Sequence, residues 1–217
     1  MKHRQHHHLP DGRHAAAQGP LATAAPSASG GARLCRGASL LELLVTLAVA
    51  GVLMGTALPA FVELGADHRA SAGINAMLGA VRATRHLAVT HNAPATLCPG
   101  QGPRCLGANR WHEGAVVFLD HDRDRRIDEG EFVGLRLPPL AEGESIRWRS
   151  FRNRSYLLIH GSGLTDWQSG NFQYCPADGD ARFARQIILN AQGRARRAID
   201  ADGDGIREDA AGEPLRC

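Results

Sequence analysis

The chain has 217 residues, 43% of them hydrophobic and 22% charged, which excludes a wholly disordered protein. Its net charge of +3 is unevenly distributed, because residues 1–37 hold five basic residues and one acidic residue. The rest of the chain carries 20 arginines and 21 acidic residues, a net charge of −1, so any affinity for a polyanion requires a local positive patch.

The N-terminal segment, residues 1–34, is rich in Ala, Gly, Pro, Ser and His and shows no apolar periodicity. This composition predicts a disordered tail. Arg33 and Arg36 follow, directly before an apolar run. Basic residues in that position favour a cytoplasmic N-terminus if the apolar run crosses a membrane.

A long helix with two unlike halves is predicted next. Residues 38–62 contain one charged residue, Glu42, and as a helix would extend for about 37 Å, enough to cross a bilayer. Residues 63–93 are amphipathic, since apolar residues recur at helical spacing, namely Ile74, Met77, Leu78 and Val81. The helix is predicted to end at about His91, before Pro94.

Residues 94–217 are predicted to form one β-rich domain. Turn residues separate six strand-like segments, at residues 95–98, 115–119, 132–137, 156–159, 172–175 and 186–190. The predicted fold class is therefore α+β, with a long N-terminal transmembrane and amphipathic helix packed on an antiparallel β-sheet.

Four of the five cysteines follow the apolar run: Cys98, Cys105, Cys175 and Cys217. On the far side of a membrane such cysteines form disulfides, and four cysteines allow three pairings. The short loop in CPGQGPRC favours Cys98–Cys105, which leaves Cys175–Cys217 to hold the C-terminus. The C-x-x-C spacings of a thiolate metal site are absent from the sequence.

The stretch RGASLLEL, residues 36–43, resembles the type III signal of type IV prepilins and pseudopilins. The resemblance implies that a prepilin peptidase removes residues 1–37 as a cytoplasmic leader by cutting between Gly37 and Ala38. Ala38 would then carry a methylated α-amino group. The family more often has Phe or Met where this chain has Ala38.

The resemblance also accounts for the acidic residue in the apolar run. An ionised carboxylate in hydrocarbon costs roughly 2.5–3.5 kcal/mol, so Glu42 requires a compensating partner. In a filament, Glu42 would sit against the charged amine of a neighbouring subunit, which offsets the cost only in the correct register. Gly51 and Pro59 match the small-residue and helix-kinking positions of the family's helix.

Further along the chain, CPGQGPRC, WHEGAVVFLDHDRD, YCPADG and ILNAQGRARR occur in the order found in GspH/FimT-type minor pseudopilins. This resemblance implies a single-pass protein of the bacterial inner membrane with a periplasmic C-terminal domain. It implies other pilins as partners, in a filament tip or an initiating complex. The machine is either a type IV pilus or a type II secretion system.

One branch of that family, FimT, binds double-stranded DNA through a C-terminal Gly-Arg-x-Arg motif, which Gly193, Arg194 and Arg196 match. Residues 181–199 contain no acidic residue and five arginines: Arg182, Arg185, Arg194, Arg196 and Arg197. Guanidinium groups bind phosphates largely without regard to sequence. An acidic extension at residues 200–213 would oppose this role. The alternative is a structural type II secretion pseudopilin, similar to protein H, that does not bind DNA.

Two acidic segments are weak candidates for calcium binding. The first contains Asp120, Asp122, Asp124 and Glu131 at EF-hand spacing, but Arg125 occupies the position of the invariant glycine. The second begins at Asp200 and has Ala211 in place of the final glutamate. The commoner interpretation is an Asx-rich turn. No other cofactor is expected, and no catalytic motif indicates an enzyme.

Overall fold

The structure is a computed structural model that describes residue 37 and residues 39–107 and 109–217. Most of the predicted leader, together with Ala38, lies outside the described residues. By internal contacts the chain divides into two units, with the boundary between Thr46 and Leu47. The second unit contains the core and every strand that the structure describes.

The single α-helix of the described residues, α1, spans Leu40–His91. Ser39 caps its N-terminus, since the backbone N–H of Glu42 donates to the Ser39 hydroxyl oxygen at 3.2 Å. Asn92 leaves the helix in the left-handed region, with φ of 47°. The C-terminal end therefore agrees with the prediction.

The first half of α1 exposes its apolar side chains, as Leu40, Val52 and Phe61 illustrate with exposures of 79%, 70% and 69%. Among the described residues, this helix alone is long and apolar enough to cross a membrane, by length and composition. In the second half, Ile74, Met77, Leu78 and Val81 are each less than 5% exposed, which confirms the predicted amphipathic face.

In the described part of the chain, eight strands follow the helix, with the bounds β1 Ala95–Pro99, β2 Ala115–Leu119, β3 Val133–Leu137, β4 Ser145–Ser150, β5 Leu157–Ile159, β6 Gly170–Cys175, β7 Arg185–Leu189 and β8 Ala195–Arg197. They form two four-stranded antiparallel sheets, in the orders β3-β2-β1-β5 and β4-β6-β7-β8. Short 3₁₀ helices lie at Trp111–Glu113, Phe151–Asn153 and Ala181–Phe183.

The α+β class is confirmed, and the prediction of one sheet is corrected to two sheets. The sequence prediction missed β4 and β8. In β4, exposed Arg147 and Arg149 alternate with buried Ile146 and Trp148, so no continuous apolar run marks the strand. Strand β8 contains no large apolar residue and exists through its pairing with β7.

One apolar core joins α1 to both sheets. Met77 and Val81 of the helix belong to the same buried cluster as Leu97 of the first sheet and Phe172 and Ile187 of the second. Because the helix contributes to this cluster, its amphipathic half is an integral part of the domain.

An aromatic cluster lies inside this core. The Phe172 ring stacks on Trp148 with centroids 4.2 Å apart, and it meets Trp111 edge to face at 4.9 Å. Trp111 and Trp148 are both core residues, 1% and 3% exposed. Trp167 is different, because it is 69% exposed.

Both favoured disulfides are present, Cys98–Cys105 and Cys175–Cys217. The second joins the end of β6 to the last residue of the chain, across 42 residues of sequence. In the same region the Gln173 side-chain amide donates to the Arg216 carbonyl oxygen at 2.6 Å. The C-terminal segment is thus held against the second sheet.

Candidate nucleic-acid interface

The Gly-Arg-x-Arg segment begins in the turn of the β7–β8 hairpin and continues into β8. The Asn190 N–H donates to the Arg194 carbonyl oxygen at 3.1 Å, and the Arg194 N–H donates to the Asn190 side-chain oxygen at 2.9 Å. Gly193 has φ of +70°, a region that favours glycine. Gly193 thus permits a tight turn between the two strands.

Two neighbouring segments hold this turn in place. The Thr165 N–H and hydroxyl both donate to the Ala191 carbonyl oxygen, at 3.0 and 3.1 Å. A Cβ atom at Gly193 would lie 2.7 Å from the Gly163 carbonyl oxygen and 3.6 Å from Cδ of Arg85. The turn therefore lies between α1 and the loop that follows β5.

This close approach leads to a test at Gly193. We expect Gly193→Ala to lower the free energy of unfolding by about 1–3 kcal/mol, because it adds a backbone clash to an unfavourable φ. Gly179→Ala is the matched control, since Gly179 has φ of +74° but nothing within 4 Å of its Cβ position. Urea denaturation of the two variants measures the difference. Equal losses of stability would show that the approach to Gly163 is not tight.

A groove of about 540 Å³ lies between the turn and α1. Its lining contains three arginines, a histidine and no acidic residue: Arg82, Arg85, His86, Val89, Gly193, Arg194 and Ala195. None of the three guanidinium groups makes an ion pair with a residue that the structure describes. We call this the basic groove.

Sequence reasoning missed the helical half of the basic groove. Residues 82, 85, 86 and 89 are spaced by three or four positions and so share one face of α1. The absence of any acidic residue between Asp67 and Glu113 is a sequence signal that would have drawn attention to this face. Only the fold shows that Arg194 lies beside it.

The two arginines of the motif and the adjacent Arg197 have three different environments. Arg194 lines the basic groove. Arg196 lines a separate depression together with Asp202, Glu208 and Asp209. Arg197 lines a third depression, which also contains other arginines. The acidic extension is therefore next to Arg196, and none of its residues lines the basic groove.

The predicted assembly residues lie at the beginning of the helix. Gly37 is described and exposed, whereas Ala38 lies outside the described residues. Glu42 is exposed in the first turn of α1, where a carboxylate also interacts favourably with the helix dipole. Gly51 and Pro59 both fall within α1. Cleavage, methylation and the roles of these residues stay predictions.

The first acidic segment brings together three of its four predicted residues. Carboxylate oxygens of Asp120, Asp122 and Asp124 lie within 4.8 Å of one another, without Glu131. Asp120 is fully buried and accepts a hydrogen bond from the Thr96 hydroxyl at 2.6 Å. Asp122 and Asp124 accept from backbone N–H groups two residues further on, which is the pattern of Asx turns.

The second acidic segment brings together Asp200, Asp202, Asp204 and Glu208, within the same distance. Backbone N–H groups of the loop donate to all four carboxylates. The sequence prediction did not include Glu208. Calcium binding at either segment stays a prediction.

Comparison with known proteins supports a family assignment. The family model described as type II transport protein GspH matches residues 73–193, which is more than half of the 217-residue chain. The match ends at Gly193, so Arg194 and Arg196 lie just beyond it. A search of curated proteins found no match.

Among solved structures, the chain is similar to the type IV minor pilin FimU of Pseudomonas aeruginosa PAO1 in two crystal forms. The P21 form has a TM-score of 0.47 and 14% identity, and the alignment covers 72% of this chain and 98% of that chain. The P65 form has a TM-score of 0.42 and 14% identity, with coverage of 68% and 97%. The extent of the family-model match shows that the protein belongs to the GspH family of minor pilins and pseudopilins.

Proposed function

We propose that this protein is a minor pilin that binds double-stranded DNA in the basic groove and acts in DNA uptake by a type IV pilus. The observation that carries the proposal is the convergence of Arg82, Arg85 and Arg194 without an acidic partner. An unpaired cluster of guanidinium groups has a high positive potential, which a polyanion neutralises with release of its counterions.

The geometry supports contact with the DNA backbone in preference to base recognition. Arg82 and Arg85 come from a helix that is packed into the core, and Arg194 comes from a turn fixed by Thr165 and Gly163. Guanidinium groups carried on such fixed backbone segments suit bidentate contacts with phosphate oxygens, which position a duplex without reading its sequence. Binding is therefore expected to be insensitive to DNA sequence.

The helix supplies the other half of the proposed function. The exposed apolar side chains of residues 40–64 would lie in the inner membrane before assembly and against other pilins afterwards. The C-terminal domain would lie in the periplasm, where its disulfides persist. Prepilin peptidase would cut between Gly37 and Ala38, and Glu42 would pair with a neighbouring subunit's amine.

The test is a fluorescence anisotropy titration of duplex DNA with the full chain in detergent. We expect the Arg85→Ala/Arg194→Ala variant to bind at least about tenfold more weakly than wild type, because each lost charge-assisted contact is worth about 1.5–3 kcal/mol. The matched control is Arg147→Ala/Arg149→Ala, which removes two exposed arginines from the opposite edge strand of the second sheet. Equal weakening in both variants would contradict a localised site.

A structural subunit of a type II secretion system is the second candidate, favoured by the description of the matching family model. In that case the basic groove would contact an acidic surface of another subunit or of an exported protein. The same titration separates the candidates. If the folded wild-type protein does not bind duplex DNA at low salt, the DNA-uptake role is contradicted and the secretion role is supported.

A further inference from the structure

A second positively charged cavity, of about 310 Å³, lies between α1 and the segment that follows β8. It is lined by Arg185, Arg197 and Arg207, with Ser71 and Asn75 from the helix and one acidic residue, Asp200. None of these residues lines the basic groove. We call it the arginine cavity.

Arg185 forms the fixed part of the arginine cavity. This residue is only 5% exposed. Its Nη1 donates to the carbonyl oxygens of Arg182 and Ala184, at 2.8 Å each, and its Nη2 donates to the carboxylate of Asp67. Its buried Nε has no hydrogen-bond partner among the described residues. Burial lowers the pKa of Arg185, and the nearby charge of Arg207 lowers it further.

The other two arginines leave the arginine cavity with an excess of positive charge. Neither Arg197 nor Arg207 makes a side-chain ion pair with a described residue. Asp200 makes no ion pair with either arginine; its two carboxylate oxygens accept from Gly203 N–H at 2.7 Å and Gly205 N–H at 2.9 Å. The three arginines outnumber the two nearby carboxylates, Asp67 and Asp200, so the local charge is positive and favours binding of an anion.

We propose that the arginine cavity is a binding site for a phosphate group. Arg197 and Arg207 would supply bidentate N–H donors, and Ser71 and Asn75 would supply neutral donors. Arg185 would contribute a fixed positive charge. The volume accommodates inorganic phosphate or a small phosphate ester, since one water occupies about 30 Å³ in the liquid. This proposal does not rest on DNA binding in the basic groove.

The test uses inorganic phosphate as the probe and the full oxidised chain in detergent. At constant ionic strength, phosphate in place of chloride should raise the unfolding temperature of wild-type protein with saturation, as specific binding does. The Arg197→Gln/Arg207→Gln variant should lose this rise, and Arg197→Lys should keep part of it. Arg149→Gln, a change at an exposed position of β4 that lines neither cavity, should leave the rise unchanged.

Two results would overturn the proposal: no phosphate-specific rise in the folded wild type, or a full rise in Arg197→Gln/Arg207→Gln. Duplex DNA titrations identify the source of the phosphate. If the double variant loses phosphate binding and also binds DNA at least about tenfold more weakly, the site accepts a phosphate of the DNA backbone. If it loses phosphate binding but retains wild-type DNA affinity, the site accepts a small phosphate compound.

Discussion

Replacing Phe172 with alanine is expected to lower the free energy of unfolding by about 3–5 kcal/mol. The side chain is fully buried, and its ring contacts both Trp111 and Trp148. Truncation removes these contacts and leaves a cavity at the place where the core joins the second sheet. Loss of the two aromatic interactions lowers the stability further than the lost burial of apolar area does alone.

The matched control for this prediction is Phe151→Ala, because Phe151 is 61% exposed in a short 3₁₀ helix. The free energy of unfolding of this variant should differ from that of wild type by no more than about 0.5 kcal/mol. Urea denaturation of the oxidised protein, followed by far-UV circular dichroism, measures both variants. Similar midpoints for the two would show that the aromatic cluster does not support the fold.

The second large loss of stability is expected when the ion pair between Asp67 of α1 and Arg185 of β7 is broken. Arg185 is buried, whereas the Asp67 side chain is 48% exposed. Asp67→Asn keeps the shape but leaves the Arg185 charge unpaired in the interior. We expect the free energy of unfolding of this variant to fall by about 2–3 kcal/mol, less than the roughly 3–5 kcal/mol of fully buried pairs, because water reaches the carboxylate.

Glu63→Gln is the control for Asp67→Asn. Glu63 of α1 also makes an ion pair, at 3.4 Å, with Arg182 of the short 3₁₀ helix before β7. Both of these side chains are more than half exposed. Exposed pairs contribute little, so the change should stay below about 1 kcal/mol. The same denaturation experiment compares the two variants, and an equal small loss in both would contradict a structural role for the Asp67–Arg185 pair.

Much of the fold follows from local patterns in the sequence. The spacing of Ile74, Met77 and Val81 predicts the buried face of α1, and Pro94 predicts its end. Strand β2 is a continuous apolar run and β1 contains one polar residue, Thr96, so the sequence predicts both strands nearly to the residue. Strand β4 was missed because its arginines interrupt the apolar run, and β8 because it depends on its neighbour.

The candidate site was only partly predictable. Glycine before an arginine indicates a turn, and Gly193 has the positive φ that this turn requires. Tertiary packing alone brings Arg82 and Arg85 to Arg194, since more than 100 residues separate them in sequence. The same packing places Arg196 beside the acidic extension. Two arginines that look equivalent in the linear motif therefore lie in different environments.

The most direct test of DNA binding in the basic groove is the salt dependence of duplex DNA affinity for the full chain. Three arginine–phosphate contacts predict a slope of about −2.7 for log K against log salt concentration. The Arg85→Ala/Arg194→Ala variant removes two of them and should give a slope of about −0.9. A wild-type slope near zero, or the same slope and affinity in the variant, would contradict DNA binding at this groove.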